Sequence, residues 1–176
     1  MPRVKVLALC GSLRVGSTNL ALLQAAKILA PPDMEFSIWN RQAGLPHFTP
    51  DLEGLPPPEV QKFRDHVGVA DGLIIACPEY ARGLPGAFKN ALDWLVGGET
   101  FINKPFAQWN ASPRAAEAQN SLRLVLETMS GRCLEEAALA LPLIKQEVTG
   151  RGLAAHPEWG PQISLALVRL GAALRA

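Results

Sequence analysis

The chain has 176 residues, of which 48% are hydrophobic and 19% are charged, and its formal net charge is +1. This composition is that of a folded globular protein, and the length favours one domain over two. A near-neutral charge excludes broad electrostatic attraction to nucleic acid or to an anionic membrane, so we expect neither as a partner. A bound anion would therefore need a local arrangement of donors.

The N-terminal apolar stretch and the cysteines bear on localisation. The stretch at residues 4–10 is too short for a membrane span or a secretory signal. Cys10, Cys77 and Cys133 are widely spaced, form no CxxC motif and are odd in number, which argues against a disulfide framework. We predict a cytoplasmic protein with reduced thiols, in which Cys10 and Cys77 are packing residues.

Short apolar runs alternate with amphipathic patterns along the chain. The runs predict strands at residues 4–9, 35–39, 71–77 and 104–110, and a fifth strand within 139–148. Apolar spacings of three and four residues predict helices over 22–29, 59–69, 88–95, 114–130 and 163–174, and the Pro- and Gly-rich stretch 40–58 predicts a surface loop. This alternation predicts a single domain over residues 1–176, with a doubly wound five-stranded parallel sheet between two layers of helices.

The loop after the first strand, residues 11–19 (GSLRVGSTN), leads into a helix. Ligands of open α/β sheets bind beyond the carboxyl ends of the strands, and a helix N-terminus favours an anion there. The spacing is close to a Walker A loop, but Ser17 stands where that loop needs a lysine, which argues against an NTPase and for a single terminal phosphate. The alternative is an ordinary Ser/Thr helix cap on a surface turn.

The loops after the third and fourth strands are predicted at the same edge. Residues 78–86 (PEYARGLPG) contain two prolines and two glycines, which favour a rigid backbone able to read the edge of a flat heterocycle, and Tyr80 offers a flat face. The alternative is a helix lead-in with Tyr80 in the core. The third loop, residues 110–114, is a weaker candidate because Ser112 could be a helix cap and nothing more.

Taken together, these loops resemble the NADPH-dependent FMN reductase family, a flavodoxin-like group that includes quinone, chromate and azo-dye reductases. Residues 11–19 are similar to the family's G-S-x-R-x-x-S-x-N phosphate loop, and residues 78–94 to its P-E-Y-N-x-[GS]-x-P-G-x-L-K-N-A-[IL]-D-W motif. A softer match is LPHF at 45–48. The resemblance implies a flavodoxin-like three-layer α/β/α fold, with FMN as cofactor and NAD(P)H as co-substrate.

The resemblance also implies site residues and an assembly. Family members commonly form dimers or tetramers, so a homodimer or homotetramer is expected, with residues 79, 80 and 89–94 as candidate interface positions. The implied cofactor-binding residues are Gly11, Ser12, Arg14, Ser17, Thr18 and Asn19 around the phosphate, Pro78, Glu79, Tyr80, Ala81, Arg82 and Gly83 along the isoalloxazine, and Ser112 near the flavin or ribityl chain.

The sequence departs from the family pattern in two places. Ala81 replaces the asparagine that follows P-E-Y, which removes a side-chain hydrogen bond near the flavin or the interface. Residues 112–116 read SPRAA, where the family usually carries glycines after the serine. These changes predict weaker FMN affinity or a reshaped substrate face, and they leave the phosphate loop untouched.

The implied function is an oxidoreductase that passes electrons from NAD(P)H through FMN to a quinone-like, azo or metal-oxyanion acceptor. The flavin carries this chemistry, so no catalytic side chain is expected. No metal site is expected, because His47, His66 and His156 are far apart in sequence. The alternatives are a non-catalytic FMN-binding redox sensor and a one-electron carrier, although near-zero charge counts against a carrier. The physiological acceptor and the choice between NADH and NADPH stay open.

Overall fold

Within residues 2–143 and 148–176, which the computed structural model describes, six strands form one sheet with helices on both faces. The strands are β1 (Val4–Cys10), β2 (Met34–Trp39), β3 (Gly72–Ala76), β4 (Pro105–Asn110), β5 (Arg132–Cys133) and β6 (Leu139–Ala140). The helices are α1 (Thr18–Leu29), α2 (Pro58–Val69), α3 (Gly86–Val96), α4 (Ala116–Thr128), α5 (Gly150–Ala154) and α6 (Trp159–Ala173).

The sheet is parallel, with the strand order β2-β1-β3-β4-β5, and β6 also pairs with β4. The order reverses at β1, because β2 lies on one side of it and β3 on the other. This confirms the predicted doubly wound architecture. The reversal point lies between β1 and β3, where open α/β sheets bind ligands at the carboxyl edge.

The fifth position of the sheet is built differently from the predicted single strand within 139–148. Two pieces of two residues occupy it: β5 pairs with the start of β4, and β6 pairs with its end. A 3₁₀ turn at Glu135–Ala137 separates them. Residues 144–147 of the predicted strand lie outside the described residues. Two-residue pairings carry no periodicity, which is why the pattern misplaced this strand.

The two faces of the sheet are covered by different helices. Along β1, Val6 and Ala8 pack into one hydrophobic cluster with α1 and α6, whereas Leu7 and Leu9 pack into a second cluster with α2 and α3. Every residue of the central strand β3 is buried, as expected for a strand covered on both sides. None of the helices in residues 2–143 and 148–176 has the length and apolarity needed to cross a membrane.

The 40–58 segment is fastened to α3 and is less loop-like than predicted. It contains two 3₁₀ turns, Gln42–Gly44 and Pro50–Leu52. Asn90 Oδ1 accepts a hydrogen bond from Phe48 N at 2.8 Å, and Trp94 Nε1 donates to the Pro46 carbonyl oxygen at 2.8 Å. Trp94 is fully buried, so it belongs to the core and is a wrong candidate for an interface residue.

Candidate cofactor-binding groove

The loops that follow β1, β3 and β4 meet at the carboxyl edge of the sheet and enclose two adjoining cavities. Their volumes are about 220 Å³ and about 250 Å³. We call the pair the carboxyl-edge groove. The smaller cavity is lined by Ser12, Arg14, Ser17, Thr18, Asn19, Pro78 and Tyr80, and the larger by Thr18, Asn19, Pro78, Glu79, Ala111, Ser112, Arg114 and Ala115.

The first loop exposes backbone donors beside the N-terminus of α1. Ser17 caps the helix by accepting from Leu20 N at 3.4 Å, and Gly16 takes the left-handed conformation with φ +73°. The following backbone N–H groups donate to no residue that the structure describes: Ser12, Leu13, Val15, Gly16, Thr18 and Asn19. Unpartnered N–H groups at a helix N-terminus form an anion site, because the helix dipole adds partial positive charge there.

Two side chains of this loop have hydrogen-bonding capacity to spare. Arg14 Nη2 donates to the Gly16 carbonyl oxygen at 3.0 Å and closes the loop, while the side chain is otherwise exposed. Its guanidinium carries five N–H donors, so most stay free for an anion. Asn19 is 6% exposed and lines both cavities, and its Oδ1 has no partner among the described residues. The side-chain amide of Asn19 is therefore placed where it could bond a ligand hydroxyl.

Gly11 differs from the other residues of the first loop because it does not line either cavity. Its N–H donates to the Ala76 carbonyl oxygen at 2.8 Å as part of the sheet, and a Cβ on it would lie 2.8 Å from Cys77 Sγ. Burial raises the pKa of the Cys77 thiol to about 12 and also raises the pKa of Cys10. Both thiols are therefore protonated packing groups at neutral pH, not nucleophiles.

The second loop contains a tight turn at Tyr80–Gly83. Tyr80 and Gly83 exchange two backbone hydrogen bonds of 3.0 Å, and the central residues Ala81 and Arg82 have φ values of 49° and 61°. Two left-handed central residues define a type I′ turn, which favours Asn and Gly over Ala and Arg. Tyr80 is half exposed at the groove, so it is not a core residue. Ala81, Arg82 and Gly83 shape the turn behind it without lining the cavities.

Glu79 connects the second loop to α4. Its Oε2 accepts from Ala118 N at 3.1 Å, which satisfies a free donor in the first turn of a helix whose own N-cap, Ala115, has no side-chain acceptor. Gln119 Nε2 donates to the Cys77 carbonyl oxygen at 3.1 Å, and Gln108 Nε2 donates to the Gln119 carbonyl oxygen at 2.9 Å. These contacts fix the positions of β3, β4 and α4 relative to one another around the larger cavity.

The third loop is ordered by short-range side-chain contacts. Asn110 Oδ1 accepts from Ser112 N at 2.9 Å, and Ser112 Oγ accepts from Arg114 N at 3.3 Å. This turn delays the start of α4 to residue 116, two residues later than the spacing predicted. Ser112 and Arg114 both line the larger cavity. No group of three or more His, Cys, Asp or Glu in the described part of the chain is arranged to hold a metal ion.

Sequence reasoning missed the residues that support the groove from outside the three loops. Gln42, Gln108 and Gln119 lie in the 40–58 segment, in β4 and in α4, and each donates from its side-chain amide to a backbone carbonyl oxygen. No local motif marks a glutamine for such a contact.

Comparisons with known proteins show which proteins this chain resembles. The family model described as NADPH-dependent FMN reductase matches residues 4–146. An NAD(P)H-dependent FMN reductase of Pseudomonas aeruginosa is 40% identical over 129 residues, which are 70% of this chain and 69% of that protein. An NAD(P)H:quinone oxidoreductase of Solanum tuberosum is 42% identical over 98 residues, 53% of this chain and 50% of that protein. A quinone reductase of Escherichia coli K12 is 36% identical over 96 residues, with the same shares.

Among solved structures, the flavoenzyme NAD(P)H:(acceptor) oxidoreductase FerB from Paracoccus denitrificans superposes with a TM-score of 0.80. It is 24% identical, and the match covers 98% of this chain and 97% of that one. An azoreductase from Bacillus anthracis superposes with a TM-score of 0.57 at 14% identity, covering 97% of this chain and 98% of the other. At these identities the superpositions establish the fold.

Proposed function

We propose, from the premise that this chain belongs to the NADPH-dependent FMN reductase family, that it is an FMN-dependent NAD(P)H oxidoreductase. The observation that carries the proposal is a set of six backbone N–H groups within residues 12–19, at the N-terminus of α1, that donate to no described residue. These groups supply the hydrogen-bond donors that a single terminal phosphate requires. The lysine that a nucleoside triphosphate site needs is absent from the loop.

The groove fits FMN in its chemistry. The N-terminus of α1 and the hydroxyls of Ser12 and Thr18 would surround the phosphate, while the side-chain amide of Asn19 would bond the ribityl chain. Arg14 would add a charge-assisted hydrogen bond to the phosphate. The cavities together fall in the range of several hundred Å³ that small-molecule sites occupy.

The isoalloxazine would lie along residues 78–80, with Ser112 on the far side of the larger cavity. The turn at Ala81–Gly83 would hold Tyr80 against the ring from behind. Bound FMN supplies two-electron redox chemistry, taking reducing equivalents from NAD(P)H and passing them to an acceptor. The residues of this chain orient the ring and set the polarity around it. No side chain of the groove has to move a proton for this role.

The acceptor class rests on the named activities of the relatives. They are quinone reductases and NAD(P)H:quinone oxidoreductases, and the structural neighbours include azoreductases. We therefore propose a small-molecule acceptor of quinone-like, azo or metal-oxyanion type. The half-exposed Tyr80 supports this, because it leaves a flat aromatic face at the mouth of the groove.

An exposed apolar groove between α3 and α4 supports the proposal of a homodimer or homotetramer. Its volume is about 530 Å³, and Val96, Ile102 and Leu124 on its walls are 58%, 53% and 68% exposed. Exposed apolar patches of this kind mark interaction surfaces. Replacing Leu124 with Lys should convert the oligomer to monomer in sedimentation experiments, and an unchanged mass would assign the interface elsewhere.

Two further features complete the proposal. The hydrophobic clusters on both faces of one sheet support a single domain over residues 1–176. The three free cysteines support our proposal that the protein works in a reducing compartment, the cytoplasm.

An anaerobic titration followed by visible absorption tests the function. The purified protein should bind FMN, and addition of NADH or NADPH should then bleach the flavin bands. Bound flavin that stays oxidised would assign the protein to the non-catalytic sensors or carriers. No flavin bound at micromolar FMN would overturn the proposal altogether.

A further inference from the structure

Gln42 lies beneath the first loop and is 2% exposed, although its side chain is polar. Its Nε2 donates to the Cys10 carbonyl oxygen at 2.5 Å and reaches the Ser12 carbonyl oxygen at 3.5 Å. Both partners are acceptors, so the amide orientation is determined: only the nitrogen can face them. Gln42 thereby ties the 40–58 segment to the end of β1 and to the start of the loop.

This contact determines which way the loop backbone faces. The carbonyl groups of Cys10 and Ser12 point toward Gln42 in the protein interior. In a trans peptide the N–H points away from the carbonyl that precedes it, so the Leu13 N–H faces away from Gln42 because the Ser12 carbonyl faces it. Neither the Leu13 N–H nor the Ser12 N–H has a partner among the described residues. Carbonyl oxygens at the anion site would repel a phosphate, so turning them inward is what makes this loop a donor surface.

The arrangement is unfavourable for stability taken alone. Gln42 Oε1 is buried without a hydrogen-bond partner in the described residues, and an unpaired buried acceptor costs desolvation free energy. A methionine or leucine would fill the same space without that cost. A glutamine at this position is therefore explained by what its nitrogen does for the loop.

We propose that Gln42 is a positioning residue that makes this groove select phosphorylated flavin over unphosphorylated flavin. The proposal rests on the proposed function, since it requires that FMN bind in the groove with its phosphate at the first loop. Gln42 does not touch the ligand. It acts through the backbone of Cys10 and Ser12, and the isoalloxazine contacts of residues 78–80 do not depend on it.

The experiment compares FMN with riboflavin, which carries the same ring without the phosphate. Gln42→Met keeps the volume and removes the donor. We expect its Kd for FMN to rise about tenfold, the effect of losing about one net hydrogen bond. The Kd for riboflavin should change less than about twofold. Both are measured by quenching of flavin fluorescence on the apoprotein.

Lys104→Met is the matched control. Lys104 Nζ also donates to two backbone carbonyl oxygens, those of Ala70 at 2.6 Å and Gly68 at 3.3 Å, but it lies at the opposite edge of the sheet. It should leave the ratio of the two Kd values unchanged. If Gln42→Met does not fold, Gln42→Leu replaces it: this variant also fills the space without a donor, and the same loss of selectivity for FMN is expected.

Each outcome has one meaning. If the wild-type protein binds neither flavin, the proposed function fails and this inference fails with it. If the wild-type protein prefers FMN and Gln42→Met keeps that preference, the function stands and Gln42 is not the positioning residue. If Gln42→Met weakens both ligands equally, Gln42 has a general structural role and the inference is overturned.

Discussion

The polar groups at the two edges of this sheet differ in whether they have hydrogen-bond partners. At the amino edge, Asp71 Oδ2 accepts from Lys5 N at 2.7 Å. Lys104 Nζ donates to two carbonyl oxygens at the end of α2, and Arg175 forms an ion pair with Asp33. At the carboxyl edge, six of the eight backbone N–H groups of residues 12–19 donate to no described residue, and the buried Asn19 Oδ1 accepts from none. Buried polar groups of folded proteins usually have hydrogen-bond partners, so the concentration of unpartnered groups at the carboxyl edge supports the proposed ligand site there.

Four other atoms qualify this rule. Among the described residues, Trp39 Nε1, Gln42 Oε1, Arg64 Nη2 and Thr100 Oγ1 are also buried without partners. Arg64 and Thr100 flank Gly98 in the corner between α2 and the 3₁₀ turn at Glu99–Phe101, and none of the four residues lines the carboxyl-edge groove. An orphan polar atom therefore indicates a ligand only where a cavity opens onto it.

The largest effect is expected from placing a negative charge at the open edge. In Thr18→Glu, a carboxylate at the first residue of α1 should raise the free energy of unfolding by about 0.3–1 kcal/mol through the helix dipole. The same charge should repel the FMN phosphate and weaken its binding by about 100-fold or more. Urea unfolding of the apoprotein and FMN titration measure the two effects.

Thr18→Gln is the control for this variant, because it has the size of glutamate without its charge. It should keep most of the FMN affinity. A similar loss in both variants would mean that bulk, and not charge, blocks the groove. An unchanged Kd in Thr18→Glu would mean that the phosphate binds elsewhere.

A smaller loss is expected from Arg14→Ala. Removal of a charge-assisted hydrogen bond should weaken FMN binding by about 10- to 150-fold, equivalent to about 1.5–3 kcal/mol. Arg14 is exposed, so the stability of the apoprotein should change little. Arg175→Ala at the amino edge is the counterpart: breaking its exposed pair with Asp33 should cost at most about 1 kcal/mol of stability and leave FMN binding unchanged. If the two variants changed the Kd for FMN equally, phosphate binding could not be assigned to the carboxyl edge.

Much of the open edge was predictable from sequence because its signals are local. Apolar runs ending in Gly11 and Pro78 place the strands, and the alternation with helices dictates a parallel sheet whose carboxyl ends meet. The loops at 11–19, 78–86 and 110–114 do come together in the structure. Glycine and proline at the strand ends, together with one rule of sheet topology, were sufficient to predict that the three loops meet.

The contacts that the sequence did not reveal join residues at long separations. Gln42 reaches Cys10 over 32 positions, and Glu79 reaches Ala118 over 39. A glutamine or glutamate in such a role has no spacing signature, since its partner is a backbone atom. Trp94 illustrates the converse: the motif that contains it suggested an interface, but its burial depends on the path of the 40–58 segment.

The pH dependence of stability should have opposite signs at the two edges. Burial raises the pKa of Cys77 from its ordinary 9.0 to about 12. Above pH 9 the unfolded chain loses this proton and the folded protein keeps it, so stability falls with pH by up to about 1.4 kcal/mol per unit until pH 12. Burial lowers the pKa of Lys104, so the folded protein releases that proton first and stability rises just below pH 10.5.

Variants separate the two contributions. Urea unfolding at pH 7.5 and pH 10 should show a shallower decline for Cys77→Ala than for the wild type, and a steeper decline for Lys104→Met. Equal declines in the wild type and Cys77→Ala would show that the thiol is not shielded from water by the packing of Gly11 against it.

The smallest effect concerns the type I′ turn. Ala81 has a φ of 49°, a conformation that Asn adopts more readily than Ala, so Ala81→Asn should stabilise the protein by about 0.5–1 kcal/mol. Ser130, with a φ of 65° at the end of α4, gives a matched case at the other edge, where Ser130→Gly should bring a similar gain. Both gains are measured by urea unfolding.

The two variants should differ in FMN binding. The turn at Tyr80–Gly83 holds Tyr80 at the groove, so relieving its strain preorganises the ring contact and should tighten FMN binding a few-fold, roughly by the stability gained in the turn. Ser130→Gly relieves strain of the same kind far from the groove and should leave the Kd unchanged. If both variants stabilise the protein and neither changes the Kd, the strain at Ala81 affects stability and not FMN binding. The residues that follow Tyr80 would then not contribute to the binding site.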